Sequence, residues 1–146
     1  MSFILTNKVN MGDRWSSGPF DLVNSNNCKM RYEHIPFKNL WQLQFRQHYI
    51  IKDFYLEREE NGATSVVCVF LDCKVYLPEH ISKHVDSEAK LAKFSINKLI
   101  LRLFNVAVDH STNEKQCVIG FRVHRGYIFI DSEMEETFCL DDDCET

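Results

Sequence analysis

The chain lacks any apolar run close to the ~18 residues that a membrane-spanning helix requires. No helical membrane span is therefore expected. The opening stretch, MSFILTNKVNMGDRW, has too short an apolar run for a secretory signal, and its charge follows that run instead of preceding it. Both features predict an intracellular protein of the nucleus or cytoplasm, not a secreted one. There is no P-loop, no dinucleotide glycine fingerprint and no G-x-S-x-G. No internal repeat is present. Cysteine is present, but never at the two-residue spacing of zinc knuckles or redox motifs. Cys28, Cys68, Cys73, Cys117, Cys139 and Cys144 are expected to be free thiols in a reducing compartment. Cys68 and Cys117 lie inside apolar runs, where cysteine behaves as a small hydrophobe.

Basic residues are missing altogether from the last stretch. Asp131 to Thr146 holds eight acidic residues and no Lys or Arg, leaving 17 basic against 13 acidic residues in 1–130, a net of +4. The body is mildly cationic and the tail anionic. Such a tail repels nucleic acid or competes with it for basic surface.

What is present suffices for one globular domain of 146 residues, 45% hydrophobic and 26% charged. Residues 1–36 read as an irregular arm, with Phe3-Ile4-Leu5 as a short strand or docking segment. PFKNLWQLQF predicts a helical turn leading into a strand. HYIIKDFYLERE predicts a strand from Tyr49 to Arg58. Asn61-Gly62 marks a hairpin. TSVVCVFL reads as a strand buried on both faces. CKVYLP alternates, with Cys73, Val75 and Leu77 on one face and Lys74 and Tyr76 on the other, and Pro78 ends it. Residues 79–95 are a helix candidate, in which Ser87 is able to cap a separate second helix. Residues 97–108 are ambiguous, and the strand reading is preferred, with Lys98, Arg102 and Phe104 facing out. QCVIGFRV and GYIFID form a last strand pair around a His124-Arg125-Gly126 turn, and Gly120 suggests a bulge.

This order predicts an α+β, mainly β chain. The expected architecture is an OB-like five-stranded barrel over residues 37–130, with a short helix between its third and fourth strands. An acidic tail over 131–146 completes the expected organisation.

His80 and His84 stand at metal-ligand spacing, but no third ligand is placed by sequence, and a solvated helix face is the simpler reading. No cofactor and no metal site are expected. Basic and aromatic residues interleave more informatively. Single-strand binders need cations along the phosphates and flat rings against unpaired bases. Arg46, Lys52, Lys74, Lys98, Arg102 and Arg122 are the expected phosphate contacts. Phe54, Tyr76 and Phe104 are the expected stacking residues.

The stretch HYIIKDFYLEREENGATSVVCVFLDCKVYLPEHISKHV resembles OB-fold single-stranded DNA-binding domains of the type carried by DNA viruses and mobile elements. The resemblance implies a non-enzymatic DNA-binding protein acting in replication or recombination. Its partner would be single-stranded DNA, with RNA and homo-oligomer formation left open. The acidic tail would dock on a replication protein. The rival expectations are a protein-interaction module working through the tail or the N-terminal arm, and a small metal-dependent nuclease.

Overall fold

The computed structural model describes residues 25–141. The expected Phe3-Ile4-Leu5 segment and the end of the tail lie outside them. The first element among the described residues is helix α1 (Ser25–Arg31), followed by a 3₁₀ turn over Leu40–Gln42 where a helical turn is expected. Four strands follow: β1 (His48–Ile50), β2 (Asp53–Arg58), β3 (Thr64–Val69) and β4 (Lys74–Tyr76). Helices α2 (Glu79–Ser82) and α3 (Glu88–Phe94) come next. The chain then adds β5 (Ile100–Val108), β6 (Lys115–Val123), β7 (Gly126–Ile130) and β8 (Glu136–Leu140). The protein is mainly β, with few and short helices.

All strand pairs are antiparallel. They form a five-stranded sheet in the order β1-β5-β6-β7-β8 and a three-stranded sheet in the order β2-β3-β4. Hydrogen bonding therefore runs in two sheets instead of around one five-stranded circuit. The reason lies at Ile51-Lys52, where the expected single strand from Tyr49 to Arg58 divides. The Ile51 N–H donates to Leu99 O at 2.8 Å, while the next N–H, of Lys52, donates to Val69 O at 2.7 Å. One pass of the chain thus leaves the larger sheet and enters the smaller.

The inner faces of the two sheets share one core. Phe54, Leu56, Val66, Cys68 and Val75 from the small sheet meet Leu101, Leu103, Ile119 and Phe121 from the large one, with Leu91 and Phe94 of α3 between them. Burying a side chain such as Phe54 stabilises the fold by roughly 1.5–3 kcal/mol. A second cluster lies on the outer face of the small sheet. There Cys28, Tyr32 and Ile35 cover Tyr55, Val67 and Val69. A helix of seven residues is marginal alone, and this apolar contact is what holds α1 in place.

Several local readings hold. The β2–β3 hairpin closes through Gly62 N–H to Glu59 O and Glu59 N–H to Ala63 O, both 2.9 Å, with Gly62 at φ +90°. Ser87 caps α3, its side-chain oxygen accepting from Lys90 N–H at 3.2 Å, so residues 79–95 are two helices. Residues 100–108 are a strand. The bulge expected at Gly120 lies instead in the facing strand, where the β5–β6 register shifts between Leu103 and Asn105. Phe104 is the extra residue, and the shift keeps both Leu103 and Val106 against the core.

The segment expected to be a separate acidic tail carries β8, paired with β7 from Gly126↔Leu140 to Ile130↔Glu136. His80 and His84 anchor the turn before it. Their Nε2–H groups donate to Ile130 O at 3.2 Å and Ser132 O at 3.0 Å. His84 remains exposed while making its contact and His80 is partly buried, so the helix face is solvated in part and also anchors the turn. Among the described residues, no group of three His, Cys, Asp or Glu is placed to hold a metal ion. Cys28, Cys68, Cys73 and Cys117 are free thiols, whereas Cys139 is disulfide-bonded. No helix among the described residues is long and apolar enough to cross a membrane.

Candidate functional site

Strand register builds a polar cluster on the outer face of the large sheet. His48 of β1 lies opposite Arg102 of β5, and Arg102 opposite Gly120 of β6. Two residues on from Gly120, Arg122 lies opposite Tyr127 of β7. Tyr127 lies opposite Cys139 of β8, and Asp141 follows two residues later. Period-2 alternation therefore puts His48, Arg102, Arg122, Tyr127 and Asp141 on one face.

Their side chains converge on one oxygen. An Arg102 Nη donates to Tyr127 Oη at 2.5 Å. Tyr127 Oη also lies 2.7 Å from His48 Nε2. Arginine can only donate, so Tyr127 Oη accepts from Arg102, while its contact with His48 runs in the direction set by the imidazole tautomer. Burial, then the Arg102 and Arg122 charges, hold His48 below its ordinary value of 6.5. Arg122 lies with its guanidinium carbon 5.0 Å from the Tyr127 ring centre and pairs with the Asp141 carboxylate. That pairing holds Asp141 below the usual carboxylate range.

The floor of the cluster is aromatic. Phe104 meets Tyr127 edge-on at 4.9 Å and Phe129 at 5.0 Å. The Arg102 guanidinium lies 4.8 Å from the Phe104 ring centre. Gly120 makes room for this: a Cβ there would come within 2.9 Å of Phe104 and 3.1 Å of Phe129. The Arg102 Nε is buried and has no hydrogen-bond partner among the described residues. Buried donors normally find one.

The nine residues predicted from sequence do not share one channel. Arg102 and Arg122 belong to this cluster, and both are partly exposed. Phe104 lies beneath it, 4% exposed, and is no stacking platform. Phe54 is in the central core, edge-on to Phe94 at 5.7 Å. Lys98 was expected to face out but is 4% exposed, its ammonium 3.0 Å from Glu136 of β8 and 4.7 Å from the Phe94 ring centre. Lys74 lies on the outer face of the small sheet, across the core from Arg102. It is also 4% exposed, because the segment around Tyr32 and Phe37 covers it. Its ammonium donates to Tyr32 O at 3.0 Å and lies 4.3 Å from the Phe37 ring centre. Burial pushes this amine below its ordinary value. Tyr76 is exposed, stacked on Phe37 at 4.7 Å, with its hydroxyl on Glu57. Arg46 and Lys52 are exposed, on either side of β1 in the chain.

Sequence reasoning missed His48, Tyr127 and Asp141. A signal for Tyr127 existed: the two-residue turn at His124-Arg125 makes Arg122 and Tyr127 partners. His48 and Asp141 carried none, since each arrives through pairing set by the tertiary fold. A cavity of about 120 Å³ lies beside His80, Cys117 and Phe129, and a more open one of about 300 Å³ lies beside the cluster, at His124, Arg125, Leu140 and Asp141.

No protein-family model, curated protein or solved structure matches the chain.

Proposed function

We propose that the protein is a non-enzymatic binder of single-stranded nucleic acid, acting in replication or recombination, and that it grips phosphate on the outer face of the large sheet. One observation carries the reading: Arg102 and Arg122 lie side by side with His48 above the Tyr127 hydroxyl. Arginine is suited to phosphate because its planar fork donates two parallel hydrogen bonds. The passage of one chain segment from β1 into β2 supports reading the two sheets as an open relative of the OB-like barrel, whose sheet face holds nucleic acid. Arg46 and Lys52, exposed near β1, extend the basic surface. Glu136 and Asp141 oppose it, each neutralising one predicted phosphate contact.

Titration of fluorescent oligo-dT at two salt concentrations tests this. Arg102 and Arg122 releasing counterions from a single strand contribute about −1.4 to the slope of log K against log salt, since each phosphate contributes roughly −0.7, and contacts by Arg46 and Lys52 steepen it. Replacing Arg102 and Arg122 together by Gln should abolish binding. Undetectable binding by the native chain at low salt rules the reading out.

A second reading follows from β8. It is an edge strand with Phe138 and Leu140 both exposed, which suits pairing with a strand of a partner protein. Loss of a partner on replacing Phe138 and Leu140 by Ser, with oligo-dT binding unchanged, would favour it.

A further inference from the structure

We propose that the His48–Arg102–Arg122–Tyr127 cluster takes the terminal phosphate of a nucleic-acid strand, with Asp141 holding the place of that phosphate in the free protein. This rests on the strand-binding reading and narrows it to an end.

The first ground is shape. A groove for a strand backbone spreads its cations along a path, whereas here two arginines and an imidazole meet at a point. Arg102 reaches Tyr127 Oη at 2.5 Å, His48 at 2.7 Å, and Arg122 lies over the same ring. One anion fits such a point. The second ground is that an anion already sits there. Asp141, on the residue after β8, pairs with Arg122, and its charge is also felt by Arg102 and His48. It is exposed, so an incoming ligand can replace it.

The choice of ligand follows from what must outcompete a carboxylate. A backbone phosphodiester carries one charge, as Asp141 does, and gains little by exchange. A phosphomonoester carries between one and a half and two charges near neutral pH, with three strong acceptor oxygens. It matches two guanidinium groups. It also opposes the arginine charges that keep His48 neutral. The groups facing His48 are Arg102 on β5, Arg122 on β6, Tyr127 on β7 and Asp141 after β8, so exchanging Asp141 for a more highly charged anion favours proton uptake. Binding of the monoester should therefore raise the pH at which His48 titrates, back towards its ordinary value.

The experiment uses the full chain and oligo-dT labelled at its 3′ end, carrying either a 5′-phosphate or a 5′-hydroxyl, followed by fluorescence anisotropy. The phosphorylated strand should bind about tenfold more tightly, the size expected for gained charge-assisted hydrogen bonds. Asp141→Asn should strengthen its binding further. Arg102→Gln and Arg122→Gln should erase the difference between the strands, with thermal melts confirming that the variants fold. If they do not fold, the exposed Asp141→Asn variant alone decides. Thymidine 5′-monophosphate should compete better than inorganic phosphate; equal competition assigns the site to free phosphate and overturns end recognition. Equal binding of the two strands overturns end recognition but leaves the strand-binding reading standing. No binding of either strand removes both. A preference for the phosphorylated strand that is unchanged in Asp141→Asn and in the arginine variants overturns the proposed site.

Discussion

Lys74-Val75-Tyr76 and Arg102-Leu103-Phe104 are the same pattern in sequence: a cation, an aliphatic residue and an aromatic, alternating along a strand. In both, the aliphatic residue enters the central core and the other two turn outward. The outcomes are nevertheless opposite. In β4 the cation is buried at 4% exposure and the aromatic is 42% exposed. In β5 the aromatic is buried at 4% and the guanidinium is partly exposed. Alternation decides which face a side chain takes. What covers that face is decided by other segments. On the small sheet, α1 and the strand-like stretch at Phe37 roof Lys74. On the large sheet, Tyr127 and Phe129 close over Phe104 and leave Arg102 at the rim.

The aromatic pair offers the largest test of this contrast. Phe104→Ala should cost about 3–5 kcal/mol, since it removes a buried ring from a packed aromatic floor. Tyr76→Ala should cost less than about 1 kcal/mol, because its ring is half exposed and stacks only on Phe37. Chemical denaturation reads both, and equal losses would mean the two patterns are not opposed.

The cations come next. Lys74→Ala leaves the Tyr32 carbonyl without its donor beneath the roof and should cost about 1–3 kcal/mol, with oligo-dT affinity unchanged. Arg102→Ala should do the reverse, weakening oligo-dT about tenfold with a smaller loss of stability. A Lys74 variant that lost binding would place the strand on the wrong sheet.

Glu136→Gln sharpens the role of β8. It strips the partner from Lys98, whose side chain is 3% exposed, while Glu136 itself is 51% exposed. Solvent at the carboxylate reduces the effect to about 1 kcal/mol. A larger loss would mean that the pair also pins β8 to the core.

The smallest effect belongs to His48. Its folded value lies below 6.5, so protonation favours the unfolded chain. The stability it contributes is present above about pH 6.5 and lost as pH falls through the lower folded value. A urea midpoint measured across that window should fall with pH, and His48→Asn should flatten the fall.

Much of the secondary structure was legible. The strands of the β2–β3 hairpin, the alternation in β4, the Ser87 cap and the β6–β7 hairpin each depend on neighbours within a few residues. The broken strand at Ile51-Lys52 was not legible, because its apolar and β-branched residues suit either sheet and only distant partners, Leu99 and Val69, determine which one each residue joins. β8 was hidden by its own composition, since five acids in 131–141 read as solvated tail. Pairing with β7, and the Glu136 and Asp141 contacts to Lys98 and Arg122, make it a strand. Two of the five residues of the candidate site, Arg102 and Arg122, were visible.

From the sequence alone come the mainly β composition, the turns at Asn61-Gly62 and around His124-Arg125-Gly126, and the alternation of Lys74-Val75-Tyr76 in β4. These are consequences of backbone preference and alternation, which act over a few residues. Which outward face is roofed and which left open, and the meeting of His48, Arg102, Arg122, Tyr127 and Asp141 at one point, were decided only by the tertiary structure. They depend on pairing between segments tens of residues apart, and that pairing is selected by burial of the shared core, not by any local signal in the segments themselves.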